Sequence, residues 1–250
     1  MPPTPNDSPA AEASAPLRMG VVMPLANEEQ TIDGLLARVL VQLGPEDRVF
    51  CILDNVCKDR TREVISGWQR EKDARVTLVW APENRCVVDA YFRGYREACA
   101  AGCRWILEMD GGLSHLPEQI PQFIAGMEEG YDYVGGSRYL DGGCHDSFFT
   151  RRLLSKGGTI LARGLLKAPM SDMTSGFECF TREALLEVLE RGVRSRAHFF
   201  QTEIRCMMSK RRWKEVPIRY ANTYPTVAGA SIADSLRVLF ALWKERGKSR

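Results

Sequence analysis

Residues 106–121 read ILEMDGGLSHLPEQIP. An apolar run over 104–109 stops at Asp110, two glycines follow, and an amphipathic stretch opens near Pro117. That order predicts a short buried strand, a turn, and a helix over 117–129. Asp110 leaves the strand directly into Gly111 and Gly112, a turn free enough to admit a diphosphate close to the backbone. A carboxylate at such a point suits Mg²⁺ or Mn²⁺, hard ions that take oxygen ligands and bridge to substrate phosphates. The plain alternative is a carboxylate that caps its own turn.

Outward from this stretch the pattern repeats. Short apolar runs predict strands at 20–24, 49–53, 75–80 and 131–136, and longer amphipathic runs predict helices at 28–43, 60–72 and 86–102. Alternation of this kind implies an α/β fold built on a Rossmann-like, mainly parallel mixed sheet flanked by helices. Open sheets of this class bind ligands beyond the carboxyl ends of their strands. The first strand runs into VVMPLANEE (21–29), which brings Pro24, Asn27 and Glu28 to that edge, and the second runs into ILDNVCKDRT (52–61), which brings Asp54, Asn55 and Asp59. Carboxylates there can accept hydrogen bonds from a nucleobase or from ribose hydroxyls.

After residue 140 the rhythm changes to a Gly-rich loop at 141–144, a basic helix at 150–166, helices at 181–191 and 199–209, and a strand at 213–218. This arrangement suggests a donor half over about 18–140 and an acceptor half over about 141–250 of one domain. Residues 231–246 form an amphipathic helix that either docks on the core, the favoured reading, or lies on a membrane surface.

Bulk properties narrow the function. At 250 residues, 44% hydrophobic and 26% charged, the chain suits one sizeable domain. A formal net charge of +2 gives no basic stripe of the kind nucleic acid demands. The eight cysteines lack a C-x-x-C pair, and Cys99 with Cys103 has no second pair to complete a zinc site, so reduced cytoplasmic thiols are expected. Residues 1–17, rich in Pro, Ala and Ser, predict a disordered tail, with neither a signal peptide nor a membrane span. No later window is apolar for long enough to cross a bilayer.

The segments VVMPLANEE, ILDNVCKDRT, MDGGLSHLPEQIP, GGSRYLDGG (135–143), RRLLSKGGTILARGLL (151–166), MTSGFECFTREAL (173–185) and FFQTEIRCMMSKRRWKEVPIRY (199–220) occur in an order that resembles family 2 glycosyltransferases of GT-A fold, the dolichyl-phosphate mannose synthase-like group. The resemblance covers about residues 19–246. It implies an inverting transfer of sugar from a nucleotide-diphosphate sugar, with a divalent cation, to an acceptor that in many members is a polyprenyl phosphate. By the same resemblance the donor lies against Pro24, Asn27, Glu28, Asp54, Asn55, Asn84, Asp110 and Gly111, and the cation against Asp110 and Gln201. The acceptor phosphate lies against Arg138, Arg151, Ser155 and Ser175, with Asp110, Arg138 and Arg151 carrying the catalysis. An acceptor phosphate is already an anionic nucleophile and needs no base; a hydroxyl acceptor would need one, for which Glu203 is the candidate. A cytoplasmic location is expected, the 231–246 helix leaving open attachment at the cytoplasmic face of a membrane.

The chain also departs from the group. The Asp-x-Asp pattern reads Asp110-Gly111-Gly112, one carboxylate short; the acidic pair near the base reads Asp54-Asn55. The loop after the third strand is NRCVVDAYFRG (84–94), where Asp89 caps its helix or contacts the donor, and no Arg or Lys stands between 221 and Arg237. These losses motivate a second reading, a catalytically degenerate nucleotide-sugar-binding partner. A nucleotidyltransferase would want a Gly-rich Arg-Lys loop after the first strand, which MPLANEEQT does not supply. His115, His145 and His198 are expected to be structural or loop residues, and Lys210 to Lys214 a solvated turn.

Overall fold

The computed structural model describes residues 17–222 and 229–248. The expected tail therefore lies, Leu17 aside, outside the described residues, as does 223–228 of the cation-poor segment. Seven strands form one sheet in the order β3-β2-β1-β4-β7-β5-β8: β1 (Met19–Pro24), β2 (Arg48–Leu53), β3 (Val76–Trp80), β4 (Trp105–Glu108), β5 (Tyr133–Ser137), β7 (Glu178–Thr181) and β8 (Trp213–Pro217). All run parallel except β7, which enters between β4 and β5 and pairs antiparallel with both. A separate parallel pair joins β6 (Cys144–Ser147) to β9 (Arg219–Asn222).

Period-two alternation explains the two-layer core. On β1, Met19, Val21 and Met23 face helices α1 (Ile32–Val41) and α4 (Ile120–Glu128), while Val22 faces α3 (Val87–Ala100). The second face is completed by α6 (Arg182–Arg191), α7 (Phe200–Met208) and parts of α8 (Gly229–Lys248). Each fully buried Leu, Ile, Val, Phe or Met stabilises the fold by roughly 1.5–3 kcal/mol.

Most expected elements are present with shifted ends. The helix expected from residue 28 begins at Ile32, because 25–31 turn at the sheet edge. The helix expected over 60–72 is α2 (Thr61–Gly67) followed by a π-turn at Trp68–Lys72. The basic helix is α5 (Phe149–Leu166). Three strands went unforeseen: β6 (CHDS), β7 (ECFT) and β9 (RYAN), each four residues long and too polar for a periodic signal.

Candidate active site

The carboxyl ends of β3, β2, β1 and β4 lie side by side, and their loops are laced together. Asn27, in the left-handed region at φ 61°, donates from its amide to Val56 O (3.3 Å) and accepts from Lys58 N–H (2.8 Å). Glu28 N–H donates to Thr61 Oγ1 (2.7 Å) and Glu29 N–H to Asp59 Oδ2 (3.0 Å). Burial pushes the Asp59 carboxyl up, but hydrogen bonds from Thr61 and the Glu29 N–H outweigh it and hold the group at about 2. Asp54 accepts from Val56 N–H (2.9 Å), and exposed Asn55 donates to Pro82 O (2.9 Å), tying the β2 loop to the β3 loop. On the β3 loop the buried Asn84 Nδ2 has no hydrogen-bond partner among the described residues. Pro24 is half-buried at the end of β1.

The Asp110 turn packs onto this lattice. A Cβ at Gly111 would stand 2.0 Å from Leu25 Cδ2 and 3.1 Å from Pro24 O, so the β4 loop approaches the β1 loop more closely than any side chain allows. Asp110 keeps a side-chain exposure of 32%. Its Oδ1 accepts from Tyr91 O–H at 2.8 Å, and burial followed by the charges of Asp110 and Glu108 keeps that phenol protonated. Its backbone N–H donates to His115 Nδ1 at 3.0 Å, which leaves the proton of a neutral imidazole on Nε2. His115 is fully buried, stacked on Phe177 at 4.7 Å; burial and the Arg138 and Arg205 charges lower its pKa against the pull of Asp110. His115 Nε2 stands 3.7 Å from Asp110 Oδ2 and has no hydrogen-bond partner among the described residues.

The acceptor-side residues are arranged differently from expectation. Arg138 is buried and already engaged: Nε and Nη2 grip Asp172 at 2.7 and 2.8 Å, Nη2 also reaches Thr174 Oγ1 (2.6 Å), and Nη1 meets His145 Nε2 (3.1 Å). Arg138, expected against an acceptor phosphate, thus lies in the interior, paired because an unpaired buried charge is too costly. Burial works against the Asp172 carboxylate, yet the Arg138 charge and its hydrogen bonds hold its pKa far below the usual range. Burial and Arg138 together push His145 down to about 4. Arg151 is half-buried on α5, one turn before half-buried Ser155, and its Nη2 donates to the Tyr220 hydroxyl at 3.3 Å. Ser175 is buried, accepting from Phe177 N–H at 3.4 Å.

Gln201 is not held against Asp110. Its amide Nε2 donates to Glu108 Oε1 at 2.7 Å, inside the sheet. Glu108 faces Glu178 across the β4–β7 register, also receives the Tyr95 hydroxyl, and has its pKa raised by burial and by Glu178. Glu178 in turn receives Arg205 Nε at 2.8 Å. Glu203, the candidate base, accepts the backbone N–H groups of Arg194 and Ser195, and burial raises its pKa. Asp89 accepts the Arg85 N–H (3.0 Å), a capping contact, and pairs with Arg196. Among the described residues no group of three or more His, Cys, Asp or Glu converges as a metal cage.

Sequence reasoning missed Tyr91, Asp172 and Tyr220. Tyr91 sits among the apolar residues of an amphipathic helix and reads as core. Tyr220 joins the two sides of the site: it bridges to His115 through the backbone, lies under Arg138 at 5.3 Å, and receives Arg151.

The Glycosyl transferase family 2 profile matches residues 20–189, most of the chain. The chain belongs to glycosyl transferase family 2. Among relatives of this transferase, the polyprenol monophosphomannose synthase of Mycolicibacterium smegmatis is 27% identical over 233 residues, covering 91% of this chain and 87% of that protein. The dolichol-phosphate mannosyltransferase of Pyrococcus furiosus is 26% identical over 244 residues, covering 93% of this chain and 65% of that one. In three dimensions the transferase resembles glucosyl-3-phosphoglycerate synthase from Mycobacterium tuberculosis, crystallised with Mn²⁺, uridine diphosphate and phosphoglyceric acid, with a TM-score of 0.63 at 15% identity over 92% of this chain and 78% of that one. At that identity the likeness establishes the GT-A fold. No helix among the described residues is long and apolar enough to cross a membrane.

Proposed function

We propose that this glycosyltransferase takes its sugar from a nucleotide-diphosphate sugar and transfers it, with inversion, to a lipid-borne phosphate such as a polyprenyl phosphate at a cytoplasmic membrane face. The carrying observation is the shared edge of β3, β2, β1 and β4. It gathers Asn84 with its unpaired amide, Asp54 and Asn55, the Pro24–Glu28 loop, and the partly exposed Asp110 beside Gly111. In this reading the base lies against Asp54, Asn55 and Asn84, and the diphosphate against Gly111 and Asp110.

A divalent cation fits the residues present, as hard oxygen donors suit Mg²⁺ or Mn²⁺. Asp110 would hold it, with substrate phosphate and water supplying the remaining oxygens. When bound, it supplies positive charge that offsets the charge developing on the leaving diphosphate. Tyr91 fixes the Asp110 carboxylate from below. Arg151 and Ser155, one turn apart on α5, meet the acceptor phosphate. Arg138 and Ser175 shape the wall behind them, Arg138 as a positioning residue held by Asp172. The phosphate oxygen attacks the anomeric carbon as the bond to the diphosphate oxygen breaks on the opposite face. The rate comes from orientation and charge stabilisation rather than proton transfer, so Glu203 has no assigned step.

A lipid source for the acceptor is supported by α5 and its neighbour α8. Phe149 is 75% exposed, and Leu153 and Ile160 on the same helix and Phe240 and Trp243 on α8 are exposed as well. Phe149–Leu166 carries Arg151, Arg152, Lys156 and Arg163 and no carboxylate. Apolar side chains flanked by cations suit an anionic bilayer surface. The relatives named above, a polyprenol and a dolichol-phosphate enzyme, agree with that acceptor class.

Calorimetric titration with UDP and with GDP, each with and without Mn²⁺, tests the donor side. Metal-dependent binding that Asp110→Ala abolishes is the expected result, and no nucleotide binding under any condition would overturn the reading. The absent carboxylate at Gly112 favours one alternative, a nucleotide-sugar-binding partner without turnover. Donor binding with neither transfer to polyprenyl phosphate vesicles nor donor hydrolysis would establish that instead.

A further inference from the structure

Gly112 is the one position in the Asp110 turn with room for a side chain. A Cβ there would meet a single heavy atom within 4 Å, Glu28 Oε1 at 3.6 Å. The volume that a carboxylate at 112 would occupy is thus already faced by a carboxylate from the β1 loop. The placement of Glu28 is fixed from several directions. The left-handed turn at Asn27 presents it, its N–H is held by Thr61 Oγ1 at 2.7 Å, and its Oε2 accepts the Thr31 hydroxyl at 2.6 Å. Oε1 takes no hydrogen bond among the described residues. Across the turn, Asp110 likewise has one oxygen in use, Oδ1 with Tyr91, while its Oδ2 faces the unpartnered Nε2 of buried His115 at 3.7 Å.

Two carboxylates from two strand ends each leave one oxygen without a hydrogen bond among the described residues, a donor set that suits a hard cation. The buried His115 Nε2, 3.7 Å from Asp110 Oδ2, is a further polar group aimed at that carboxylate. We infer that Glu28 stands in for the carboxylate missing at Gly112, supplying from the β1 loop the second acidic ligand for the divalent cation at Asp110. The inference rests on the reading that the cation sits at Asp110. In this arrangement the cation ties the loop after β1 to the loop after β4, so donor contact at Asn27–Glu28 and cation binding reinforce each other.

The test is a double-mutant cycle on the full chain, with Mn²⁺ binding in the presence of UDP or GDP read by electron paramagnetic resonance of free Mn²⁺. Glu28→Gln keeps an oxygen for the Thr31 hydroxyl and removes the charge; it is expected to weaken Mn²⁺ by on the order of tenfold or more. Gly112→Asp on the Glu28→Gln background is expected to restore affinity to within about threefold of the unaltered chain. The same change on the unaltered chain should do little, because its place is filled. Unchanged Mn²⁺ affinity in Glu28→Gln would overturn the inference. So would an equal gain from Gly112→Asp on both backgrounds, or a loss in Glu28→Gln that Gly112→Asp does not restore. Should Glu28→Gln fail to fold, a large gain from Gly112→Asp alone would likewise overturn it, and no gain would support it. If the unaltered chain binds no Mn²⁺ with either nucleotide, the cation reading itself fails, a result distinct from these.

Discussion

Asp172→Ala separates the interior role of Arg138 from the surface role its sequence position suggests. Asp172 accepts Arg138 N–H, Nε and Nη2, all buried, together with the partly buried Thr174 N–H. Removing the carboxylate leaves a guanidinium buried with only Thr174 Oγ1 and His145 as side-chain acceptors. Breaking one side of a buried pair costs about 3–5 kcal/mol. With a urea dependence near 3 kcal/mol per molar for a chain of this size, the unfolding midpoint should fall by roughly 1–1.7 M. Urea denaturation followed by tryptophan fluorescence measures this directly. Arg138→Met should cost a comparable amount, and Arg138→Met with Asp172→Ala should cost at least about 2 kcal/mol less than the sum, because neither charge is then stranded. A cost for Asp172→Ala under about 1 kcal/mol, or additivity within about 0.5 kcal/mol, would refute the pairing argument. The pH sign follows from the depressed carboxyl: the stabilisation is present above its unfolded value near 3.8 and is lost as pH falls towards the folded value.

Glu108 has the opposite sign. Its folded pKa is raised, so the unfolded chain releases the proton first and the fold loses stability as pH climbs from about 4.5 towards the folded value. Glu108→Gln should therefore improve relative to the unaltered chain by up to about 1.4 kcal/mol per pH unit in that window, read from urea midpoints at pH 5 and 8. A pH-independent difference would count against it. His145, held at about 4, should show no C2-proton titration between pH 5 and 8 by NMR, whereas a midpoint near 6.5 would mean its surroundings are open to water. Gly176→Ala would set a Cβ 1.8 Å from Gln201 Nε2, forcing that amide off Glu108, with an expected loss of about 1–3 kcal/mol in thermal or urea unfolding; a neutral effect would show that Gln201 relocates freely.

The carboxyl edge of β1, β2 and β4 was legible because it is local: each strand end and its loop are adjacent in sequence, so Asn27, Asp54 and Asp110 are reached by following apolar runs to their ends. The contacts of Arg138 and Gln201 depend on pairings across long separations. Arg138 meets Asp172 through 34 residues, and Gln201 meets Glu108 through 93. No spacing rule connects such residues, and polar groups in the interior look in sequence like polar groups at the surface. The short strands β6, β7 and β9 were invisible for the same reason, since partners rather than periodicity hold them in place. Glu178 in β7 places a carboxyl group where a buried strand is expected to be apolar, and its partner Arg205 comes from α7, 27 residues on.

The antiparallel insertion of β7 has a consequence for how the chain acquires its form. Strands β1 to β4 can assemble as they leave the ribosome, but β4 then presents an unpaired edge until residues 178–181 arrive about seventy residues later. Beyond it, β5 reaches its outer neighbour β8 only after 213–217 are made. Closing loops of that length is slow relative to local pairing. During synthesis the half-built sheet is thus a sticky intermediate: chains ending before residue 178 leave the β4 edge open, and chains ending between 181 and 213 leave the outer edge of β5 open.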